Sequence, residues 1–263
     1  MEKDSYPSDL SDNEWSVVEP LIPGPSKLGR PPRYDKRHVL DGIFYVVRSG
    51  IAWRMMPKDL PPWRICYHYF SKWKDEGIWL KLHEELRGFV RYRSGKKKAP
   101  TAAIIDAQSV RAAGHPGLRG YDAGKKVKGI KRHLLVDTLG LVLVCVVHSA
   151  SIQDRDGARL VLAKLETAFG WIRKVWADGG YAGKLVQWVS EISRHRKVEL
   201  EIIRRSDKAE GFKLLPRRWV VERTFAWLSQ QGRLVVDRET KICSSEAMIH
   251  LAMIRLMVRR LAI

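Results

Sequence analysis

The sequence predicts two parts, a small all-helical N-terminal domain over residues 1–95 and a mixed-sheet domain of the α+β or α/β class over residues 96–263. Apolar residues recur with helical periodicity up to about residue 90. The run Arg91–Pro100 has no periodicity and carries five basic residues, which is typical of a linker. From residue 101 strand-like runs alternate with amphipathic helices, and this order predicts a mixed sheet with helices packed on it.

Several signals mark the ends of short helices in the N-terminal part. Ser11–Glu14 fits a capping box, in which the first and fourth side chains bind each other's backbone N–H groups. Asp35 can cap a second helix that ends at Arg48–Gly50. A pair of prolines precedes a helix over Trp63–Asp75, and another helix follows over Ile78–Tyr92. One pair of these helices fits a helix-turn-helix, although most helix pairs do not read DNA.

The second part begins with strands and ends with helices. Its hairpin turn is marked by Asp137–Gly140, which carries turn-forming residues between two apolar runs. The predicted elements are a strand at Ala102–Asp106, a hairpin of His133–Val136 and Leu141–Ser149, a helix at Asp154–Phe169, a strand at Ile172–Ala177, a helix at Gly183–Ser193, a strand at Val198–Ile203, and helices at Arg217–Gln230 and 245–260.

The charge of the chain is strongly positive. It carries 48 Lys and Arg residues against 29 Asp and Glu, a formal net charge of +19. Such an excess points to a polyanionic partner, with nucleic acid ahead of a membrane surface. Charge alone leaves open a basic protein that has no such partner.

Zinc, disulfide and membrane classes are disfavoured by the sequence. The three cysteines, Cys66, Cys145 and Cys243, are far apart and form no C-x-x-C pair. The first residues lack the apolar core of a signal peptide, and no apolar run is long enough to span a bilayer. We therefore expect a cytoplasmic protein with no membrane partner.

Three acids are the candidate metal ligands. Asp106 and Asp178 each end an apolar strand, and strand ends line the functional crevice of an α/β sheet. Glu222 lies in the middle of a predicted helix among apolar residues. Carboxylates suit Mg²⁺ or Mn²⁺, and two such ions about 4 Å apart can catalyse phosphodiester cleavage. Taken singly, either aspartate could instead be a turn residue at the end of its strand.

Seven sequence motifs follow one another along nearly the whole chain: Leu10–Trp15, Pro20–Pro23, Gly50–Arg54, Ile104–Val110, Gly124–Gly140, Trp176–Gly183 and Arg217–Leu228. Together they closely resemble the IS5-type transposases of the IS4/IS5 superfamily of insertion sequences. The resemblance implies a catalytic core with an RNase H-like fold. It also implies that Asp106, Asp178 and Glu222 are a metal-binding catalytic triad.

The same resemblance implies a function, a cofactor and partners. We expect a DNA transposase that binds the terminal inverted repeats of its insertion sequence and catalyses cleavage and strand transfer with two metal ions. Mg²⁺ is the expected ion, and Mn²⁺ is expected to substitute for it. The expected partners are double-stranded DNA, both terminal repeats and target, and further copies of the chain in a homodimer or larger synaptic complex. A bacterial, nucleoid-associated location follows from such a function.

The chain departs from one signature of the related IS4-type group, Y-x2-R-x3-E-x6-K. The arginine and glutamate positions are filled by Arg218 and Glu222, whereas Leu215 and Ser229 stand at the tyrosine and lysine positions. The tyrosine and lysine of that signature therefore have no counterpart here, and Arg223 or Arg233 could make the phosphate contacts instead.

Basic residues near the acids are the candidate DNA contacts. The segment from 111 to 133 holds seven Lys and Arg residues, one acid and several glycines, which predicts a flexible basic loop. A solvated loop without a partner is the alternative. His133 and His148, in or beside apolar strands, are expected to be structural. The candidate DNA contacts are Lys125, Lys126, Lys128, Lys131, Arg132, Arg218 and Arg223.

Two other functions remain open on the sequence. One is a DNA-binding protein descended from a transposase and no longer catalytic, against which the three retained acids argue. The other is a metal-dependent nuclease that cuts without strand transfer, which only a strand-transfer assay separates from a transposase.

Overall fold

The computed structural model describes residues 6–24, 32–113, 119–192, 198–203 and 217–263, except for the side chains of residues 166, 167 and 192. The chain divides into two compact units. The helical unit comprises residues 1–95, 228–235 and 247–263, and the sheet unit comprises residues 96–227 and 236–246. The helical unit therefore includes two C-terminal segments besides the N-terminal residues. That residues 1–95 form a domain of their own stays a prediction.

The described N-terminal residues of the helical unit are helical, as the sequence predicts. The capping box is confirmed, because the Ser11 side chain accepts from the Glu14 N–H and the Glu14 side chain accepts from the Ser11 N–H. Asp35 caps the second helix, and Gly50 ends it in the left-handed conformation, with φ 76°. The helices of the unit are α1 Asp12–Val18, α2 Lys36–Ser49, α3 Trp63–Asp75, α4 Ile78–Arg93, the short α8 Gly232–Val235 and the part of α9 Ile242–Leu261 that begins at residue 247.

The two glycines at the junction of α2 and α8 allow a close backbone approach. A Cβ atom on Gly50 would lie 2.6 Å from the carbonyl carbon of Gly232. The ion pair between Arg255 and Glu14, at 2.6 Å, is nearly buried in the same unit. The pair links α9 to α1. Removal of either partner would leave an uncompensated charge in the protein interior.

The described residues of the sheet unit form six strands: β1 Ala102–Arg111, β2 Gly120–Asp122, β3 Val127–Asp137, β4 Val142–Ser149, β5 Lys174–Ala177 and β6 Glu199–Ile202. β1 lies in the interior of the sheet. On one side β1 pairs antiparallel with β3, which in turn pairs antiparallel with β2 and β4. On the other side β1 pairs parallel with β5, and β5 pairs parallel with β6.

Two strands are longer than the sequence predicts, and both differences have one cause. β1 continues five residues beyond Asp106, and β3 starts at Val127 instead of His133. The antiparallel ladder between them extends to the pair of Arg111 and Gly129, so each strand holds the other in extended form. The predicted flexible loop is therefore wrong for residues 119–133, which form β2, a turn and the first half of β3. Residues 114–118 lie outside the described residues.

Helices cover the sheet with an apolar core beneath them. The covering helices are α5 Asp154–Ala168 and α6 Lys184–Ile192. A third helix, α7 Trp219–Ser229, belongs to the sheet unit up to Trp227. Buried residues of β1, β3, β4 and β5 pack with α5 and α6 in one cluster that includes Ile105, Leu162 and Tyr181. None of the described helices of the chain is long and apolar enough to cross a membrane.

Candidate active site

The two candidate aspartates lie side by side across neighbouring strands. The parallel pairing of β1 with β5 ends at Ile104 opposite Trp176. Asp106 and Asp178 both stand two residues beyond this last pair, so the register places them at equivalent positions. Asp178 follows the end of β5, as predicted, whereas Asp106 lies in the middle of β1 because β3 keeps β1 extended. The shared edge therefore forms where β5 stops and β1 continues.

Asp106 is a partly buried carboxylate with a perturbed proton affinity. Burial raises its pKa to about 6, and the nearby charge of Asp178 acts in the same direction. The N–H of Ala107, which donates to Oδ1 at 2.7 Å, and the charges of Arg218 and Lys125 oppose this shift. Two acids that repel each other in a poorly solvated place favour the binding of a cation between them.

Asp178 is oriented by the turn that it begins. Its Oδ1 accepts from the N–H of Gly180 at 2.8 Å, and its carbonyl accepts from the N–H of Tyr181 at 3.1 Å. Gly179 and Gly180 are exposed. The double glycine therefore leaves one face of the Asp178 carboxylate open to solvent while the backbone holds the other.

Arg218 connects the second aspartate with the candidate glutamate. Its Nη2 lies 3.5 Å from Oδ2 of Asp178 and 3.8 Å from Oε1 of Glu222. Glu222 is the fourth residue of α7, near its N-terminus instead of in its middle, and its side chain is 57% exposed. The exposure makes Glu222 the most accessible of the three acids and leaves its side chain free to change rotamer.

The carboxylates provide hard oxygen donors of the kind that Mg²⁺ and Mn²⁺ prefer. They do not form a ready-made cage: among the residues that the structure describes, no group of three or more His, Cys, Asp or Glu side chains is arranged to hold a metal ion. Arg218 occupies the space between two of the acids. A cation held by Asp178 and Glu222 would therefore share them with this guanidinium.

Comparisons with known proteins identify the family of the chain. The sequence model of the family described as “Transposase DDE domain” matches residues 97–257, which is more than half of the chain. The chain belongs to this family of DDE transposases. A second model, described as “Putative transposase of IS4/5 family”, matches residues 10–83. The predicted IS4/IS5 membership is thereby confirmed, and the family implies that the mixed sheet is an RNase H-like core.

Two relatives of this DDE transposase match over part of their length. The chain is 30% identical over 112 residues, 40% of its own length and 74% of the relative's, to the “Insertion element IS402 uncharacterized 16.2 kDa protein” of Burkholderia cepacia. It is 32% identical over 69 residues, 26% of its own length, to the “Uncharacterized protein y4sN” of Sinorhizobium fredii (strain NBRC 101917 / NGR234), of which it spans about half (55%).

The basic residues predicted to contact DNA have different positions in the transposase. Lys125, Lys126 and Lys128 are exposed near the turn between β2 and β3. The Nζ of Lys125 donates to the carbonyl of Ala107 at 3.0 Å, next to Asp106. This places one lysine of the hairpin at the carboxylate site and leaves the two others facing solvent.

Lys131 and Arg132 are buried in the transposase, at 4% and 2% exposure. The Nζ of Lys131 lies 2.7 Å from Asp154 and 3.3 Å from Asp122 and donates to the carbonyl of Ile152. Burial lowers the pKa of Arg132, and the nearby acid Asp237 acts in the opposite direction. Both faces of β3 are covered here, so alternation along the strand turns neither side chain outward.

Arg223 is engaged by its own unit. Its guanidinium lies between the rings of Trp219 and Trp227, with centroid distances of 4.5 and 4.7 Å. Its Nη2 donates to the carbonyl of Leu139 in the β3–β4 turn at 3.0 Å. Arg223 therefore joins α7 to the hairpin, and Arg218 is the basic residue of this helix segment that reaches the carboxylates.

Sequence reasoning missed two features around the site. Arg217, in the left-handed region with φ 70°, stacks its guanidinium on Trp176 at 4.2 Å, which fixes the start of α7 near the end of β5. Tyr181 is fully buried and hydrogen-bonded to His133. No periodicity predicts either contact, because the partners are distant in sequence. The motif Trp176–Gly183 is the sequence signal for this stretch. Leu215, at the tyrosine position of the IS4-type signature, lies outside the described residues.

Proposed function

We propose that the chain binds the terminal inverted repeats of its insertion sequence and catalyses DNA cleavage and strand transfer with divalent metal ions held by Asp106, Asp178 and Glu222. The observation that carries this proposal is that Asp106 and Asp178 each stand two residues beyond the last pair of β1 and β5, with Arg218 joining the second of them to Glu222. A protein that only bound DNA would have no need of these three acids.

The side chains of the site have separable tasks. Asp106 and Asp178 would hold the metal ions from a fixed backbone, and the more exposed Glu222 would complete the ligand set. Mg²⁺ ions supply charge stabilisation at the phosphate and lower the pKa of a water molecule. The guanidinium of Arg218 carries five N–H groups on three nitrogens. Its Nη2 faces the acids, so the N–H groups of the other two nitrogens can bind a phosphate oxygen. Lys125 lies beside Asp106 as a second phosphate contact.

No protein nucleophile is part of this mechanism. Tyr181, which follows Asp178 closely, is 0% exposed and its hydroxyl is bonded to His133. It cannot reach a phosphate without unfolding of the turn. We therefore expect no covalent enzyme–DNA intermediate, and a trapped phosphotyrosine would replace this mechanism with another.

The test of the triad is a cleavage assay on a duplex that carries the terminal repeat. Asp106→Asn, Asp178→Asn and Glu222→Gln keep the shape of the side chains but remove the charge that holds a cation. Each is expected to lower cleavage and strand transfer at least 1,000-fold, of the order seen when essential catalytic groups are removed. DNA binding should persist or tighten. Asp156→Asn, an exposed acid at the start of α5, is the matched control.

The metal dependence gives the second half of this test. Mn²⁺ should support cleavage because it accepts the same oxygen ligands with looser geometry, whereas Ca²⁺ should permit binding without turnover. Full activity in EDTA, or in any one of the three variants, would contradict the triad. Cleavage without joining of the 3′ end to target DNA would instead favour a nuclease.

End recognition is proposed for the helical unit, on the exposed face of α3. Arg64, Tyr67, His68 and Lys72 are exposed at helical spacing and form one basic and aromatic stripe, the α3 stripe. An α-helix with such side chains fits the major groove, where base edges are read. The homodimer or larger complex that would pair two ends is part of the same proposal.

Substitution tests end recognition better than truncation. The helical unit includes residues 228–235 and 247–263, so a fragment starting at residue 96 would lose most of the unit that these segments belong to. Replacing the four residues of the α3 stripe with Ala should abolish the preference for terminal repeats over random DNA. Lys81→Ala, an exposed lysine on α4, should keep the preference. An unchanged preference in the stripe variant would contradict this assignment.

A further inference from the structure

A row of buried polar side chains runs through the sheet unit from the candidate site. The hydroxyl of Tyr181 lies 2.8 Å from Nε2 of His133. Nδ1 of His133 lies 3.3 Å from Nε2 of His148, and Nδ1 of His148 lies 2.9 Å from the carbonyl oxygen of Ser149. Tyr181 and His133 are 0% exposed and His148 is 3% exposed. Polar groups buried this deeply are costly unless each is hydrogen-bonded, and here each is.

The direction of every hydrogen bond in this row follows from its last member. A carbonyl oxygen only accepts, so Nδ1 of His148 must carry a proton. Burial lowers the pKa of both histidines, to about 3 for His133, so each ring is neutral and carries a single proton. Nε2 of His148 then accepts from Nδ1 of His133, and Nε2 of His133 accepts from the hydroxyl of Tyr181. All donors point the same way, from the tyrosine to the carbonyl of Ser149.

The row connects the two parts of the backbone that carry the candidate aspartates. Tyr181 ends the turn that begins at Asp178, and the N–H of Tyr181 donates to the carbonyl of Asp178. His133 lies on β3 directly opposite Ala107, the residue after Asp106. The hydrogen bond between Tyr181 and His133 therefore ties the turn of Asp178 to the strand that pairs with Asp106. Burial raises the pKa of the Tyr181 hydroxyl, and the charges of Asp106 and Asp178 raise it further, which keeps it a donor.

The neighbouring helix leaves room for this row and for nothing more. Gly157, in the first half of α5, lies so close that a Cβ atom there would be 2.4 Å from Nε2 of His148 and 2.6 Å from Nδ1 of His133. A glycine inside a helix costs about 1 kcal/mol relative to alanine, so its place here has to be explained by packing. The absence of a side chain at Gly157 leaves the space that the two contacting imidazoles occupy.

We propose that Tyr181, held by His133 and His148, is a positioning residue that fixes the turn bearing Asp178 relative to Asp106. The inference rests on the proposed function, since it takes these two aspartates to be the metal ligands. A hydroxyl that merely filled the core would stabilise the fold. A positioning hydroxyl sets the spacing of the carboxylates as well, and its loss weakens metal binding more than it slows the reaction at saturating metal.

The first experiment determines which ring nitrogen of His133 and of His148 carries the proton in the metal-free protein. ¹⁵N NMR of the histidine rings distinguishes a protonated from an unprotonated ring nitrogen. His133 and His148 are both expected with the proton on Nδ1 and none on Nε2. A proton on Nε2 of either ring would reverse a hydrogen bond of the row and overturn the inference.

The second experiment compares Tyr181→Phe with Tyr121→Phe, a tyrosine of the same unit that is 55% exposed. In the metal-free protein, the Gly180 amide that binds Asp178 should exchange with solvent about tenfold faster in Tyr181→Phe. The Mn²⁺ concentration for half-maximal cleavage should rise about tenfold, and the rate at saturating Mn²⁺ should change less than threefold. Tyr121→Phe should show neither change.

The outcomes separate this inference from the proposed function. A Tyr181→Phe protein with lowered stability but unchanged Gly180 exchange and Mn²⁺ dependence would reduce Tyr181 to a core residue. If the wild-type chain showed no metal-dependent cleavage, the proposed function would fail, while Gly180 exchange would still decide whether Tyr181 holds the turn. If Tyr181→Phe does not fold, His148→Gln, which breaks the row at its far end, should raise Gly180 exchange in the same direction, and no rise there contradicts the inference.

Discussion

Two short basic stretches of one β-hairpin have opposite environments. Residues 125–128, the outer stretch, hold three exposed lysines around the β2–β3 turn. Residues 131–133, the inner stretch, hold Lys131, Arg132 and His133, each less than 5% exposed. Only two residues separate them along β3. The difference comes from what covers the strand, since the inner stretch lies between β1 and β4 and beneath α5, whereas the outer stretch extends beyond them.

The comparison shows that a basic segment is not one functional surface. Lysines of the outer stretch keep their hydration and can exchange it for contacts with phosphates. Cations of the inner stretch have lost water and are compensated inside the protein, as Lys131 is by Asp122 and Asp154. Substitutions in the inner stretch should therefore change folding, and substitutions in the outer stretch should change DNA binding.

The largest effect is expected from Lys131→Met. Methionine keeps the length of the side chain but leaves Asp122 and Asp154 without their cation. Burial alone would raise the pKa of Asp122, but hydrogen bonds from Ser109 and the Lys125 N–H and the charge of Lys131 hold it at about 2. Removing one partner of such a buried pair costs about 3–5 kcal/mol.

Urea unfolding monitored by circular dichroism measures this loss. Lys128→Met, on the outer stretch of the same strand, is the matched control and should change the free energy of unfolding by less than about 0.5 kcal/mol. Equal losses in the two variants would mean that the inner and outer stretches are not distinct.

The sequence predicted the helices and strands well because their signals are local. The capping box at Ser11–Glu14 and the bounds of α3 are confirmed, and so is the hairpin around Asp137–Gly140. It did not predict the first half of β3 or β2, since Lys and Gly residues there lack the alternation of a half-buried strand. Their extended form is imposed by pairing with β1, a contact between residues distant in sequence.

The candidate site was predicted in part for the same reason. Asp106 and Asp178 were selected by the apolar runs before them and by the resemblance of their motifs. Both stand two residues beyond the last pair of β1 and β5. The bridging role of Arg218 and the burial of Lys131 and Arg132 depend on side-chain partners in three dimensions. The roles of all these residues in catalysis and DNA contact stay predictions.

A smaller effect on folding is expected from Gly157→Ala. The added methyl group would press on the contact between His133 and His148, which belong to the inner stretch and its neighbour β4. Overpacking of this kind costs about 1–3 kcal/mol, more than the gain in helix propensity that alanine brings. Gly179→Ala is the control, because a Cβ atom there would meet nothing within 4 Å. A stabilised Gly157→Ala protein would show that α5 can move away from the imidazoles.

A third prediction concerns the pH dependence of folding. The pKa of His133 is lowered from 6.5 to about 3, primarily by burial, so the unfolded chain binds a proton there that the folded chain does not. The contribution of His133 to the free energy of unfolding therefore rises with pH between about 3 and 6.5 and is lost as pH falls through that window. His133→Gln should reduce the slope by about 1.4 kcal/mol per pH unit. Unfolding curves at several pH values measure it, and equal slopes in the two proteins would mean that His133 is protonated in the fold.

The smallest effect on folding, and the one that tests the outer stretch directly, is expected from replacing Lys125, Lys126 and Lys128 together with Ala. The three side chains are exposed, so the free energy of unfolding should change little. Binding to random duplex DNA should instead lose salt dependence, by roughly one unit of slope for each phosphate contact removed. Fluorescence anisotropy at several salt concentrations gives this slope.

The control removes the same charge from Lys96, Lys97 and Lys98, which are exposed in the segment before β1. If both triple variants lowered the slope equally, net charge alone would govern binding. A larger drop for the hairpin lysines would show that position matters, because Lys125 already reaches the carbonyl of Ala107, one residue from Asp106. A phosphate bound by the outer stretch would therefore lie near the carboxylates, where the proposed reaction needs it.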